Sequence, residues 1–276
     1  MKSNNPVFAR SDDFSGRTAQ NDPSQWQIDL NGQPSSSTSP VSTERRMTID
    51  SVVEKTAITL LLVIVAAAVT WFMIGDLELD DSAVQRATFL AVGGGLLGFV
   101  LVMVNSFKKV VSPLLVMAYA IVEGVFVGAI SKMIASMVGE PSIVFQAVLA
   151  TAVAFAGTLA AYKFFNIQVT DKFRKIMAIA AASIVGVMLI NLVLSLTGVF
   201  DQGGLRGFNT LGLLVSVAMV VFAVFMLITD FDQIERGVAA GVPEREAWRG
   251  ALGLTVTLVF MYIEILRILA IMTSND

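Results

Sequence analysis

Between residues 56 and 272 the chain is dominated by apolar runs of about 20 residues, the length an α-helix needs to cross a hydrocarbon core. They fall at 56–74, 87–104, 114–137, 143–165, 176–199, 208–229 and 251–272. No polar stripe at helical spacing divides them, as a soluble helical protein would require. Composition agrees: 55% of the residues are hydrophobic and 15% charged, against about 25% charged in a soluble domain. The expected fold class is an all-α polytopic membrane protein with seven transmembrane helices over residues 47–276, in contact with the lipid bilayer.

Residues 1–46 differ in kind. They are polar and rich in Ser, Asn, Gln, Asp and Pro, and the stretch PSSSTSPVSTERR has too little complexity to bury a core. A disordered cytoplasmic tail is expected there. Its NPVF at 5–8 is either incidental or a short docking arm. The first apolar run begins after roughly 50 polar residues, too late for a cleaved signal peptide, and reads as an uncleaved first span.

Lysine and arginine in the links set the orientation, because they concentrate on the cytoplasmic side. With the N-terminus inside, the inner segments hold Arg45, Arg46, Lys55, Lys108, Lys109, Lys163, Lys172, Arg174, Lys175, Arg236, Arg245 and Arg249. The outer ones hold Arg86, Arg206 and Lys132. An odd number of spans then puts the C-terminus outside. Trp71 and Trp248 fall near span ends, as interfacial anchors do. Gly94 with Gly98, and Gly124 with Gly128, form GxxxG pairs that let membrane helices approach closely, either within the bundle or across a dimer face.

Several function classes are excluded or weakened. The net charge is -3 with no basic patch, so nucleic acid is not an expected partner. The absence of cysteine removes thiolate chemistry, and the absence of histidine removes the commonest metal ligand and the usual sensor of neutral pH. Any proton sensing falls to carboxylates. No serine–histidine, zinc-ligand or paired-aspartate arrangement is visible, so neither an enzyme nor a resident cofactor is expected. No internal repeat is evident, which weakens a transporter built on inverted repeats.

Ionisable groups at membrane depth cost a few kcal/mol or more each and mark functional positions by default. They concentrate in residues 225–272. Asp230 stands where the sixth run meets water, and Asp232, two residues on, is expected to face solvent. At about 1.5 Å per residue, Thr257 lies about 10 Å and Glu264 about 20 Å from the inner end of the seventh span. Glu123 in the third span is about 15 Å deep and Asn191 in the fifth about 20 Å. Glu264 and Arg267 share a helix face. One reading makes them an internal ion pair, with Glu123 paired to Arg267 or to a hydroxyl. The other makes these carboxyls the lining of a polar path closed at rest. Calcium takes oxygen ligands, so such a path suits it as a permeant or weakly held ion, with no metal site established.

Asp230-Phe-Asp-Gln-Ile234, then Glu235-Arg236-Gly237, and a last span ending Glu264-Ile-Leu-Arg267-Ile-Leu together resemble the Bax-inhibitor family, the transmembrane Bax inhibitor motif proteins. Tyr119-Ala-Ile-Val-Glu123-Gly124-Val-Phe-Val-Gly128 resembles the family's third-helix motif, and NPVF the opening of a bacterial, actinobacterial branch. The resemblance covers residues 51–273. It implies six helices wrapped around a central seventh, in a bacterial plasma (inner) membrane. It also implies a pH-sensitive calcium leak controlled by two aspartates near the cytoplasmic side. Asp230 matches the first; the second falls at Thr257, in Leu254-Thr-Val-Thr257. Threonine releases no proton but can donate a hydrogen bond to Asp230. The pH response is therefore lost or shifted here, or is carried by Glu264 and Glu123. The family's basic partner on the second helix has no match, although Lys108 and Lys109 are nearby. The expected function is a cation leak, calcium foremost. The alternative is a regulatory protein that binds another membrane protein, such as a membrane protease, without transport.

Overall fold

The computed structural model describes residues 45–77, 80–165, 167–197, 204 and 206–274, with backbone alone at 195 and 196. Apart from Arg45 and Arg46, the tail expected over residues 1–46 lies outside the described residues, as does its NPVF. Thr48 opens the first helix through a reciprocal capping box with Ser51, so α1 (Ile49–Ile74) begins before its apolar run does. Asp80 caps α2 (Asp81–Phe107), and the Ser82 hydroxyl and amide hold its carboxyl below the usual carboxylate range. Pro113 starts α3 (Pro113–Val138), which ends on Gly139 at φ 72°. α4 (Ser142–Phe164) and α5 (Asp171–Leu196) follow. Asn209 caps α6 (Thr210–Ala239), and a 3-10 turn (Glu244–Glu246) leads into α7 (Ala247–Ser274). Each of the seven is long and apolar enough to cross a membrane.

Alternation of direction defines two ends. The proximal end carries the starts of α1, α3, α5 and α7; the distal end carries their ends. α7 is the central helix: 67% of its most apolar window is buried, against 6% for α5 and 17% for α2. It packs against α1, α3, α4 and α6, while α2 lies chiefly on α3 and α5 on α6. Every side of α7 must therefore meet protein, which lets it carry polar groups that a lipid-facing helix would not tolerate.

The glycine pairs act within the bundle. A Cβ on Gly124 would run into the Val63 carbonyl, and one on Gly128 into the Ala67 carbonyl, so α1 and α3 meet backbone to backbone. Gly94 accommodates Phe126, and Gly98 the Glu123 carboxylate, seating α2 on α3. Dispersion at such close contact, rather than exclusion of water, holds membrane helices together.

The sixth helix departs from expectation. Hydropathy ends its span at 229, with Asp230 meeting water and Asp232 turned to solvent. Instead the helix continues to Ala239, with Asp230 3% and Asp232 7% exposed. The polar run DFDQIERG stays helical because its charges find partners: Asp232 pairs with Arg236 at 2.9 Å and with Arg174 of α5 at 3.9 Å. Arg236 also donates to the Val169 carbonyl at 3.1 Å.

Candidate functional site

Asp230 lies in the seam between α6 and α7. Its Oδ2 accepts a hydrogen bond of 2.7 Å from the Thr257 hydroxyl, which also lies 3.1 Å from the Gly253 carbonyl one turn back. Leu227, Phe231 and Ile234 of α6 and Ala247, Leu254 and Leu258 of α7 form an apolar cluster in the same seam. A carboxyl group so enclosed depends on its bond to Thr257, because leaving a buried polar group without a partner is costly. Thr255, two residues before Thr257, faces α1 instead and meets the Thr59 hydroxyl at 2.8 Å. Alternate threonines of Leu254-Thr-Val-Thr257 thus tie α7 to two different helices.

The proximal end beyond this seam is closed by a collar of charges and backbone bonds. Arg249 is fully buried, bonded through Nε to Glu246 at 2.7 Å and through Nη2 to the carbonyls of Lys108 and Lys109 at 3.3 and 3.2 Å. Arg245 donates to the Val111 carbonyl at 2.9 Å, and Lys55 pairs with Glu244 at 3.0 Å. The amide of Met47 donates to the Val242 carbonyl at 2.8 Å, and the amide of Glu244 to the Arg45 carbonyl at 2.6 Å. On the far flank the Tyr162 hydroxyl donates to Glu235 at 2.6 Å. The α6–α7 link is therefore lashed to the chain before α1 and to the α2–α3 link.

A second polar site lies toward the distal end. Glu264 is 1% exposed, and its Oε1 accepts from Arg206 Nη2 at 2.7 Å. Arg267, its neighbour on the same helix face, stands farther off, with Nε 3.9 Å from Oε2. Arg267 instead donates to the Arg206 carbonyl at 2.7 Å, approaches the Ser216 hydroxyl at 3.4 Å, and lies 5.4 Å from the Phe208 ring centroid. Between the two polar sites, Ala223 and Leu227 of α6 and Leu258 and Met261 of α7 are buried together.

The expected site residues thus separate into groups. Asp230 and Thr257 are joined, as are Glu264 and Arg267, with Arg206 between them. Among the described residues Glu123 forms neither an ion pair with Arg267 nor a hydrogen bond to a hydroxyl; it is half-buried on the α2–α3 face, over Gly98. Asn191 is buried on α5. Sequence reasoning counted Arg206 and Arg249 only as markers of orientation. Their partners Glu264 and the Lys108–Lys109 carbonyls lie far along the chain. The signal that was available is a carboxylate in mid-span whose neighbour at three residues is a long, flexible arginine: one such pair seldom satisfies both oxygens.

A search of curated proteins finds no match. A family model described as Bax inhibitor 1 like matches residues 5–274, nearly the whole chain, including Asp230, Thr257 and the Glu264–Arg267 face. This seven-helix membrane protein belongs to the Bax inhibitor 1 like family.

Proposed function

We propose that the protein is a cation leak of a bacterial plasma membrane, with calcium as the principal ion, closed at rest by the Asp230–Thr257 bond. The proximal end, which carries most of the lysine and arginine, is cytoplasmic in this reading, and the C-terminus is outside. No chemical step and no resident cofactor is needed. The observation that carries the proposal is a buried carboxyl group on α6 held to the central helix by a single neutral donor, with a second buried carboxylate on that same central helix. Two carboxylates enclosed by protein, separated by a thin apolar layer, suit a path for a hard cation that opens when α6 and α7 part. A binding role toward a membrane protease is the second reading. It draws on α5, whose Ile176, Ile179, Ile190 and Val193 are exposed and available to lipid or to a partner helix.

The test is calcium entry into liposomes containing the full-length protein from pH 5 to 8, beside Asp230→Asn and Thr257→Val. Thr257→Val removes the donor and leaves Asp230 buried without it, which costs about 1–3 kcal/mol in the closed state and shifts the seam toward open by roughly 5- to 150-fold. Wild-type flux raised by Thr257→Val supports the leak. Folded protein with no flux above empty liposomes in any variant sinks it in favour of the binding role.

A further inference from the structure

We propose that a recess at the distal end of the bundle binds the headgroup of a zwitterionic phospholipid, with the phosphate on Lys132 and the ammonium group on Asp76. The site is separate from both polar sites on α7 and does not depend on the leak.

The recess has a volume of about 290 Å³, near the lower end of the range for ligand pockets and suited to a small polar group. It lies where α1 and α3 end, and Trp71, Asp76, Lys132, Ser136, Gly139 and Pro141 line it. Lys132 stands roughly 9 Å before the end of α3, at about 1.5 Å per residue over the run to Val138. Its ammonium donates to the Trp71 carbonyl at 2.8 Å and lies 5.4 Å from the Trp71 ring centroid. An ammonium has three donors, and among the described residues this one makes that single hydrogen bond and no ion pair. Arg86, the nearby cation of α2, differs: it bonds the Ile74 carbonyl at 3.0 Å and pairs with Asp80 at 3.1 Å. Ser136 follows Lys132 by one turn on the same face of α3, and its hydroxyl forms no hydrogen bond among the described residues.

A half-buried cation beside an unused hydroxyl calls for an anion with several acceptor oxygens, as a phosphate has. A lone anion fits poorly. Asp76 lines the same recess, and the carbonyl ends of α1 and α3 bring partial negative charge to it. A lone cation would instead meet Lys132. A headgroup that carries both charges satisfies both sides. The surroundings favour a lipid as its source. Phe72 and Met73 in the last turn of α1, and Met137 in the last turn of α3, are exposed apolar side chains at the same end of the bundle. Acyl chains cover such surface, and a soluble zwitterion would leave it bare. Trp71 marks the headgroup level, where tryptophan concentrates.

The test titrates detergent-solubilised full-length protein with dioctanoyl phosphatidylethanolamine and measures bound lipid by native mass spectrometry. The parent should hold this lipid more tightly than dioctanoyl phosphatidylglycerol, whose phosphate comes without an amine. Lys132→Gln should weaken phosphatidylethanolamine binding by on the order of tenfold or more, the effect of losing one charge-assisted hydrogen bond. Lys163→Gln, at an exposed lysine on the proximal end, should leave it unchanged. Asp76→Asn should remove the preference between the two lipids. Ser136→Phe fills the recess without changing a charge and serves if Lys132→Gln does not fold. Equal affinity in the parent and in whichever of these two variants folds overturns the proposal. So does a parent that binds phosphatidylglycerol as tightly as phosphatidylethanolamine. Glycerophosphoethanolamine, the same headgroup without acyl chains, should bind far more weakly; equal binding would make this a pocket for a soluble ligand and overturn the lipid assignment.

Discussion

Thr257 decides what kind of proximal closure this protein has. The resemblance to its family places a second aspartate there, and two carboxylates at hydrogen-bond distance share a proton and titrate as one system. A threonine hydroxyl gives the same bond to Asp230 with no second charge. Thr257→Asp therefore installs a coupled pair. At low pH one shared proton keeps the seam closed; as pH rises and both groups ionise, their repulsion drives α6 from α7. Calcium flux in Thr257→Asp is expected to climb with pH across the 5 to 8 range, far more steeply than in the parent. A folded variant with the parent's pH profile would show that the seam does not gate. Asp230 was legible in the sequence as a functional candidate, but its burial was not. Burial depends on whether DFDQIERG remains helical, and that is decided by Arg174 of a different helix and by the Val169 carbonyl, neither visible in hydropathy.

Between elements, two kinds of contact hold the helices, and they fail differently. α1 and α3 meet through glycine, where added volume cannot be absorbed. Gly128→Ala places a methyl group against the Ala67 carbonyl, whereas Gly93, on α2, has open space around it. Gly128→Ala should lower stability by about 1–3 kcal/mol and Gly93→Ala by much less, read as thermal unfolding in detergent. Equal effects would mean that the α1–α3 contact is not tight. The α7 start is held instead by the buried Arg249–Glu246 pair. Arg249→Met leaves Glu246 as an uncompensated buried charge and two carbonyls without their donor, at a cost of about 3–5 kcal/mol. Adding Glu246→Leu should recover a large part of that loss; no recovery would place the role of Arg249 in the Lys108 and Lys109 carbonyls alone. The helices themselves were legible because span length and hydropathy are local. Arg206 with Glu264, and Arg249 with the α2–α3 link, were not, because each joins residues that only the fold brings together.

Across the whole molecule, the α6–α7 link is the point where the chain's beginning meets its end. Met47 is 2% exposed and belongs to the same apolar cluster as Leu227, Phe231, Leu254 and Leu258, the residues around Asp230. Its amide and the Arg45 carbonyl bond the link on either side of Pro243, and the Arg46 side chain lies against Gly241, which turns at φ 66°. The short stretch before α1 is thus a brace on the closed proximal end, distinct from the polar residues that precede it. Deleting residues 1–44 spares every one of these contacts. Deleting residues 1–47 removes both backbone bonds and empties the Met47 site, at about 2–5 kcal/mol for the buried side chain alone. The first deletion is expected to keep the parent's unfolding temperature and flux. The second should lower the unfolding temperature and speed hydrogen exchange at the amides of Val242 and Glu244 and in the first turns of α7, raising the leak because the link is freed to tilt. If both deletions raise flux alike, the brace extends into the tail. If the longer deletion leaves exchange in the link unchanged, the link is held by Arg249, Arg245 and Lys55 without help from the chain's beginning.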